Sequence, residues 1–308
     1  MIIGDFPEDN KIIKKAIVDS DMDGVTCASL LKSIFGDIKI VLTEPKFVQQ
    51  GLLDGEADDL TVVADLRFIN GCGLYFDHHI YNKPEHKFLG LWEDAPSCSG
   101  IIYEAYKSKV NLGKYESLVR FVDCFDSGAI TKEEVENPEF LLDLAFAITR
   151  RDKSFGKVVA EGFWKMDSID DFKKMPIISS RIEEFKSERE DYLEYLKTHV
   201  DIEEGVAFVE NRGFNSDIAH AFFVNALYPD TDAVVMIKGD NKDPNRINLS
   251  ISRNNFNKNG KEHNFLPIVG KLNPKVSGGH KFACGVAIPK GMALDEAKRI
   301  ILNMLKKY

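Results

Sequence analysis

Along the first 130 residues, short apolar runs alternate with longer segments of helical apolar spacing. Ile12 to Asp19, Ile38 to Thr43, Leu60 to Asp65 and Gly73 to Asp77 read as strands, being brief apolar runs rich in β-branched and aromatic residues. Val25 to Phe35, closed by Gly36, reads as a helix, as do Ser99 to Val110 and Tyr115 to Phe125. Such alternation predicts an α/β fold, a parallel sheet with helices on both faces.

After Gly128 the pattern turns helical, and Asn137-Pro138 predicts a helix start with asparagine as cap and proline in the first turn. Ser168 to about Val200 is highly charged with sparse apolar positions, which predicts a partly exposed connecting helix. A smaller α/β unit follows from Gly205: a strand at Val206 to Val209, a helix from Asp217 to Leu227 capped by Ser216, strands at Ala233 to Ile237 and Ile247 to Ser252, and a final helix from Leu294 to Leu305. The expected division is a first domain over 1–180, a helical connector over 181–203 and a second domain over 204–308.

Composition narrows the class. A chain of 308 residues with 44% hydrophobic and 29% charged residues is comfortable for two cores. No stretch approaches the roughly 20 apolar residues of a membrane span, and the start, Met1 to Asp5, is not that of a signal peptide. Five scattered cysteines without a CxxC pair indicate neither a disulfide framework nor a zinc knuckle, so a reducing cytoplasm is the expected compartment. The formal charge of −9 argues against a protein that coats long duplexes. Two divalent ions would leave it at about −5, still acidic.

The chemistry gathers at the strand ends. Asp19, Asp21 and Asp23, followed by Gly24, place three carboxylates at alternate positions where the first apolar run ends. Alternate strand residues point the same way, and adjacent negative charges repel unless a cation lies between them. Gly24 directly after the last aspartate differs from a calcium-binding EF-hand loop. Asp65 closes the third run, and Asp77-His78-His79 closes the fourth. In a parallel sheet these ends share one edge, where ligands bind. Oxygen-rich ligands with imidazole suit Mn²⁺ or Mg²⁺ better than zinc, and a pair of such ions points to phosphoester or phosphoanhydride hydrolysis. Near the other end, Ser277-Gly278-Gly279-His280 offers paired glycines whose backbone N–H groups suit phosphate oxygens, and Arg253 ends an alternating strand with a planar fork for the same group. The polar loop Asn254 to Lys261 carries Phe256, and reads either as an ordinary connection or as a loop that lays Phe256 against a base.

Taken together, Asp19-x-Asp21-x-Asp23-Gly24, Asp77-His78-His79, Ser250-x-Ser252-Arg253 and Gly278-Gly279-His280-x-x-Ala283-x-Gly285 resemble the DHH phosphoesterase superfamily, with the RecJ-like form of the first motif. The resemblance covers essentially the whole chain. It implies a parallel-sheet DHH domain joined by a helical connector to a smaller substrate-binding domain, with the active site in the cleft between them. It implies that Asp19, Asp21 and Asp65 hold one metal, while Asp23, Asp65, His78 and a fourth-motif aspartate hold the other. Asp123 is taken for that aspartate, with Asp126 as the alternative. His79 would orient the site or contact phosphate, and Asp77 would fix the histidine rings. Arg253, Gly278, Gly279 and His280 would grip the substrate. The implied cofactor is a pair of Mn²⁺ ions, or Mg²⁺, and the implied activity is that of a nano-RNase or RecJ-like exonuclease on short single-stranded RNA or DNA. A phosphatase of 3′-phosphoadenosine 5′-phosphate, a cyclic-dinucleotide hydrolase and a polyphosphatase are the small-molecule alternatives. A catalytically weak replisome-associated binding protein is the alternative of another class, and a homodimer is compatible with all of them.

Overall fold

The structure, a computed structural model, describes residues 12–307 apart from 149–151, 215–217, 241–242, 244–245, 262 and 275–276, with the backbone alone described for 277–280. The chain forms two compact units, the first from residues up to Ile130 together with Glu139–Glu184, the second from Thr131–Pro138 and from Phe185 onward.

The first unit opens with β1 (Lys15–Asp19), α1 (Met22–Phe35), β2 (Lys39–Thr43), α2 (Pro45–Gln49), β3 (Thr61–Ala64), β4 (Leu74–Asp77) and β5 (Gly90–Trp92), followed by α3 (Cys98–Tyr106) and α4 (Glu116–Asp126). All five strands are parallel, in the order β2-β1-β3-β4-β5. β1, β3 and β4 are buried almost throughout, as a sheet covered on both faces requires. Ile17, Val63 and Tyr75 pack on one face against Val48, Leu66, Phe88 and Trp92. Helix α1 lies against β1 and is flanked by α3 and by a later helix. The strand order reverses between β1 and β3, so the crevice outside their carboxyl ends is where such a sheet receives a ligand.

The helices then continue as α5 (Lys132–Glu136), which belongs to the second unit, α6 (Phe140–Ala147), α7 (Lys153–Lys165), which packs on α1, α8 (Ile169–Phe172) and α9 (Pro176–His199). The Asn137-Pro138 pair does not start a helix: Asn137 ends α5, and α6 begins at Phe140 with Glu139 as its cap residue. Proline keeps the residue before it out of the helical region, and Asn137 has φ −128° and ψ 67°. Helix α9 buries Ile178, Ile182, Phe185, Tyr192 and Leu196, a sparse stripe at helical spacing. Of the expected helical connector, residues to His199 are helix, and Val200–Glu203 form the strand β6.

The second unit adds β7 (Val206–Glu210), α10 (Ala221–Leu227), β8 (Ala233–Gly239), β9 (Ile247–Arg253), α11 (Leu266–Leu272), β10 (Ser277–His280), β11 (Ala283–Ala287) and α12 (Leu294–Leu305). Its sheet runs β10-β11-β9-β8-β7-β6, mixed, with only β7 and β8 parallel. Phe208, Val235, Leu249 and Ile251 form a core with Ile268 and Val269 of α11 and Ile301 of α12. The expected cap Ser216 and its neighbour Asp217 lie outside the described residues. Helix α10 begins later, at Ala221, where the His220 ring accepts the backbone N–H of Phe222.

Candidate metal centre

The first motif converges by a route other than strand alternation. β1 ends at Asp19, and the chain turns at once into α1. Asp21 is the N-cap, its carboxylate accepting the N–H of Gly24 at 3.0 Å, and Asp23 lies in the first turn. The turn is tight enough to require Gly24, because a Cβ there would lie 2.2 Å from the Asp19 carbonyl oxygen. Ser20 donates its backbone N–H to the Asp19 carboxylate at 2.6 Å.

Asp23 is buried and held by a second helix start, accepting the N–H groups of Cys98 at 2.7 Å and Ser99 at 2.9 Å from the first turn of α3. Burial raises its pKa despite the opposing His78 ring. Asp65 follows β3 with φ 57°, a left-handed conformation that β-branched residues avoid and aspartate tolerates. It too is buried, and burial together with the charges of Asp23 and Asp21 raises its pKa well above the carboxylate range. These carboxylates are costly to ionise side by side, and a bound cation removes that cost.

Asp77, at the end of β4, organises the histidines. Its Oδ1 accepts from the backbone N–H of His78 at 2.8 Å and from that of His79 at 3.2 Å, and pairs with His79 Nδ1 at 2.7 Å. The buried Tyr75 hydroxyl donates to Asp77 Oδ2 at 2.7 Å. Burial works to raise the Asp77 pKa, but the bond and charge of His79 outweigh it and lower it. Asp77 in turn outweighs the burial of His79 and holds that imidazole up at about 9.

His78 Nδ1 lies 3.0 Å from the carbonyl of Ala95, which only accepts, so the neutral ring carries its proton on Nδ1 and directs the Nε2 lone pair inward. That nitrogen is 3.3 Å from Asp126 Oδ2, 3.6 Å from Asp65 Oδ1 and 4.0 Å from Asp23 Oδ2. An imidazole lone pair facing three carboxylates is a donor set that fits a hard cation.

Three overlapping groups of ligand atoms result, each with its atoms within 4.8 Å of one another: Asp19, Asp21 and Asp65; Asp23, His78 and Asp126; and Asp65, Asp77, His78 and His79. Asp126, the last residue of α4, therefore stands beside His78, whereas Asp123 is turned toward α3. Asp123 accepts the Ser97 hydroxyl at 2.6 Å, and Ser97 Oγ accepts the N–H of Gly100 at 2.9 Å as the N-cap of α3. Burial raises the Asp123 pKa against that hydrogen bond. Its structural place is behind the helix start that grips Asp23.

The residues not singled out in the sequence are the supporting ones: Tyr75, Ser97, the Ala95 carbonyl, and Trp92, whose indole donates to the His79 carbonyl at 3.0 Å. Only Ser97, a small hydroxyl before an apolar helical run, carried a local signal.

In the second unit, Arg253 ends β9, stacks its guanidinium over Phe282 at 4.3 Å, and donates Nε to Asn255 at 3.0 Å. β10 is one of the two edge strands, pairing Gly278 with Gly285 and Gly279 with Cys284 of β11. The side chain of His280 lies outside the described residues.

The parallel sheet with acidic and histidine residues at a strand-order reversal, accompanied by a second, mixed-sheet unit, has counterparts among solved structures, a DHH domain among them. The chain is similar to the pGpG-specific phosphodiesterase PggH of Vibrio cholerae, with a TM-score of 0.72 at 21% identity over 96% of this chain and 98% of that one. It is similar to the DHH domain of a member of a ribosomal protein family, with a TM-score of 0.62 at 12% identity over 97% and 88% of the two chains. RecJ of Thermus thermophilus, in complex with Mn²⁺, matches with a TM-score of 0.56 at 13% identity, over 97% of this chain and 52% of RecJ. No protein-family model and no curated protein sequence matches. Among the described residues no helix is long and apolar enough to cross a membrane.

Proposed function

We propose that the chain is a divalent-metal-dependent phosphoesterase that hydrolyses phosphodiester bonds in short single-stranded oligonucleotides. The observation that carries the reading is the pair of adjoining donor sets joined through Asp65 and His78, 3.6 Å apart. Asp19, Asp21 and Asp65 are proposed to hold one ion, and Asp23, Asp65, His78 and Asp126 the other, with Asp126 replacing Asp123 in the set. Mn²⁺ or Mg²⁺, when bound, would supply an activated water and neutralise charge on the phosphate.

The chain's own residues do the rest. Asp77 holds both histidines in register, and a phosphate-contacting role is proposed for His79. The N-terminal N–H groups of α3 hold Asp23 in place. A phosphate-gripping role is proposed for Arg253, Gly278, Gly279 and His280, supported by the planar fork of Arg253 and by the glycines of an edge strand, half of whose N–H groups face away from β11.

The similarity to PggH, a pGpG-specific phosphodiesterase, favours a short substrate over a long duplex, as does the acidic charge of this chain. The test is Mn²⁺-dependent hydrolysis of a 5′-labelled RNA pentamer, a 24-mer, the matching DNA strands, pGpG, adenosine 3′,5′-bisphosphate and tripolyphosphate, with Asp65→Ala as control. Stepwise loss of the pentamer or cleavage of pGpG is expected, and is abolished in the variant. Activity confined to the bisphosphate or tripolyphosphate would replace the reading with a small-molecule phosphatase. Inactivity on all of them would favour a binding protein, against which the full set of ligand residues already argues.

A further inference from the structure

An aromatic ladder in the second unit ends in the loop that follows Arg253. The rings of His220 and Phe222 stack with centroids 5.1 Å apart and 12° between planes, and Phe222 stacks with Phe256 at 6.0 Å and 26°. Phe222, the middle ring, is buried, while His220 and Phe256 at the two ends are only partly covered. Phe256 lies three residues after Arg253, and Asn225 of the same helix as Phe222 reaches the Arg253 carbonyl at 3.5 Å.

The loop that carries Phe256 is held in shape by asparagine side chains on both sides of it. Asn254, buried, donates its amide to the carbonyl of Tyr228 and to the Thr231 hydroxyl, each at 3.0 Å, and accepts the N–H of Phe256 itself at 3.0 Å. Asn257 donates to Asp232 Oδ1 at 3.1 Å and accepts the N–H of Asn259 at 3.1 Å. A ring serving only as core filler would be covered. This one is only partly covered, with a stacked partner behind it, three residues after an arginine that is itself laid flat on Phe282.

We propose that Phe256, backed by Phe222 and His220, is a stacking platform for a nucleobase of the substrate, so that the second unit reads a nucleotide by its ring as well as its phosphate. This rests on the proposed action on oligonucleotides and adds the moiety that is recognised. Every base has a π-face, so the platform selects a base-bearing substrate without selecting its sequence. Pinning the loop beforehand lowers the ordering cost of binding. Tripolyphosphate and other baseless phosphates gain nothing from it.

The test separates base recognition from hydrolysis. In chelator-treated full-length protein, equilibrium binding of 5′-AMP and of ribose 5-phosphate is compared for wild type, Phe256→Ala and Phe256→Trp. Wild type is expected to prefer 5′-AMP by roughly five- to 150-fold, the range of base–aromatic stacking. Phe256→Ala should lose most of that preference and Phe256→Trp should keep it. A preference unchanged in Phe256→Ala, or no preference in wild type, overturns the platform. Hydrolysis of a dinucleotide and of its abasic counterpart is then measured in the same proteins. A Phe256-dependent preference in binding with no hydrolysis of either would retain the platform and reject the phosphoesterase reading. Equal hydrolysis of both, insensitive to Phe256, would retain the phosphoesterase and reject the platform.

Discussion

Two aspartates three residues apart on α4 have different neighbours, and alanine substitutions test the roles proposed for them. Asp126 stands 3.3 Å from His78 Nε2, so Asp126→Ala is expected to weaken metal-dependent activity by about 10- to 100-fold or more and to raise the Mn²⁺ concentration needed for half-activation. Asp123 instead accepts the Ser97 hydroxyl, so Asp123→Ala should cost about 1–2 kcal/mol of stability while leaving the Mn²⁺ requirement near that of wild type. A Mn²⁺ titration of activity beside a urea melt checks both, and the reverse pattern would return the ligand role to Asp123. Tyr75→Phe removes the hydroxyl that donates to Asp77. A hydrogen bond to a buried carboxylate of this kind is worth about 1.5–3 kcal/mol, and urea unfolding of the variant should show a loss in that range.

Helix starts are the elements on which the site is built. Asp21 caps α1, Asp23 fills its first turn, and the N–H groups of α3 close on Asp23 from the other side. Anions are stabilised at such positions by the unpaired N–H groups and the helix dipole. Ser97→Ala deletes the α3 cap and should cost about 1 kcal/mol. Loss of activity in that variant is expected to exceed what its unfolded fraction explains, because Asp23 loses its fixed position; activity in proportion to folded protein would count against the role given to α3. Helix α9 illustrates a different elemental rule. Its sequence is mostly charged, yet Leu196 is fully buried on the stripe it shares with Tyr192, so Leu196→Ala should destabilise by about 2–5 kcal/mol in denaturant unfolding.

At the scale of the whole molecule, the candidate metal centre draws on β1, β3, β4, α1 and α4, so a cation held there would favour the folded chain over the unfolded one. Mn²⁺ at about 100 times its dissociation constant is expected to add roughly 2.7 kcal/mol of stability, read as a rise in melting temperature. Asp65→Ala should remove that rise, and an equal rise in the variant would remove Asp65 from the centre. The strand–helix alternation, the motif residues at the strand ends and the glycine-rich segment near the end were all legible in the sequence, because apolar periodicity and residue chemistry are local properties. Asn137-Pro138 misled because an asparagine–proline pair ends a helix as well as it begins one, and the neighbours that decide are not in the pair. The order of the strands, which brings Asp19 and Asp65 to either side of one crevice, was settled by how the sheet packs. So was which of Asp123 and Asp126 stands beside His78. The two lie less than one helical turn apart on α4, and which of them faces His78 depends on the rotation of that helix against α3, a matter of packing between segments distant in the chain. The sequence determined which residue types could hold a metal and grip a phosphate; tertiary packing decided which of them meet, since side-chain convergence is a property of the assembled elements and not of any one of them.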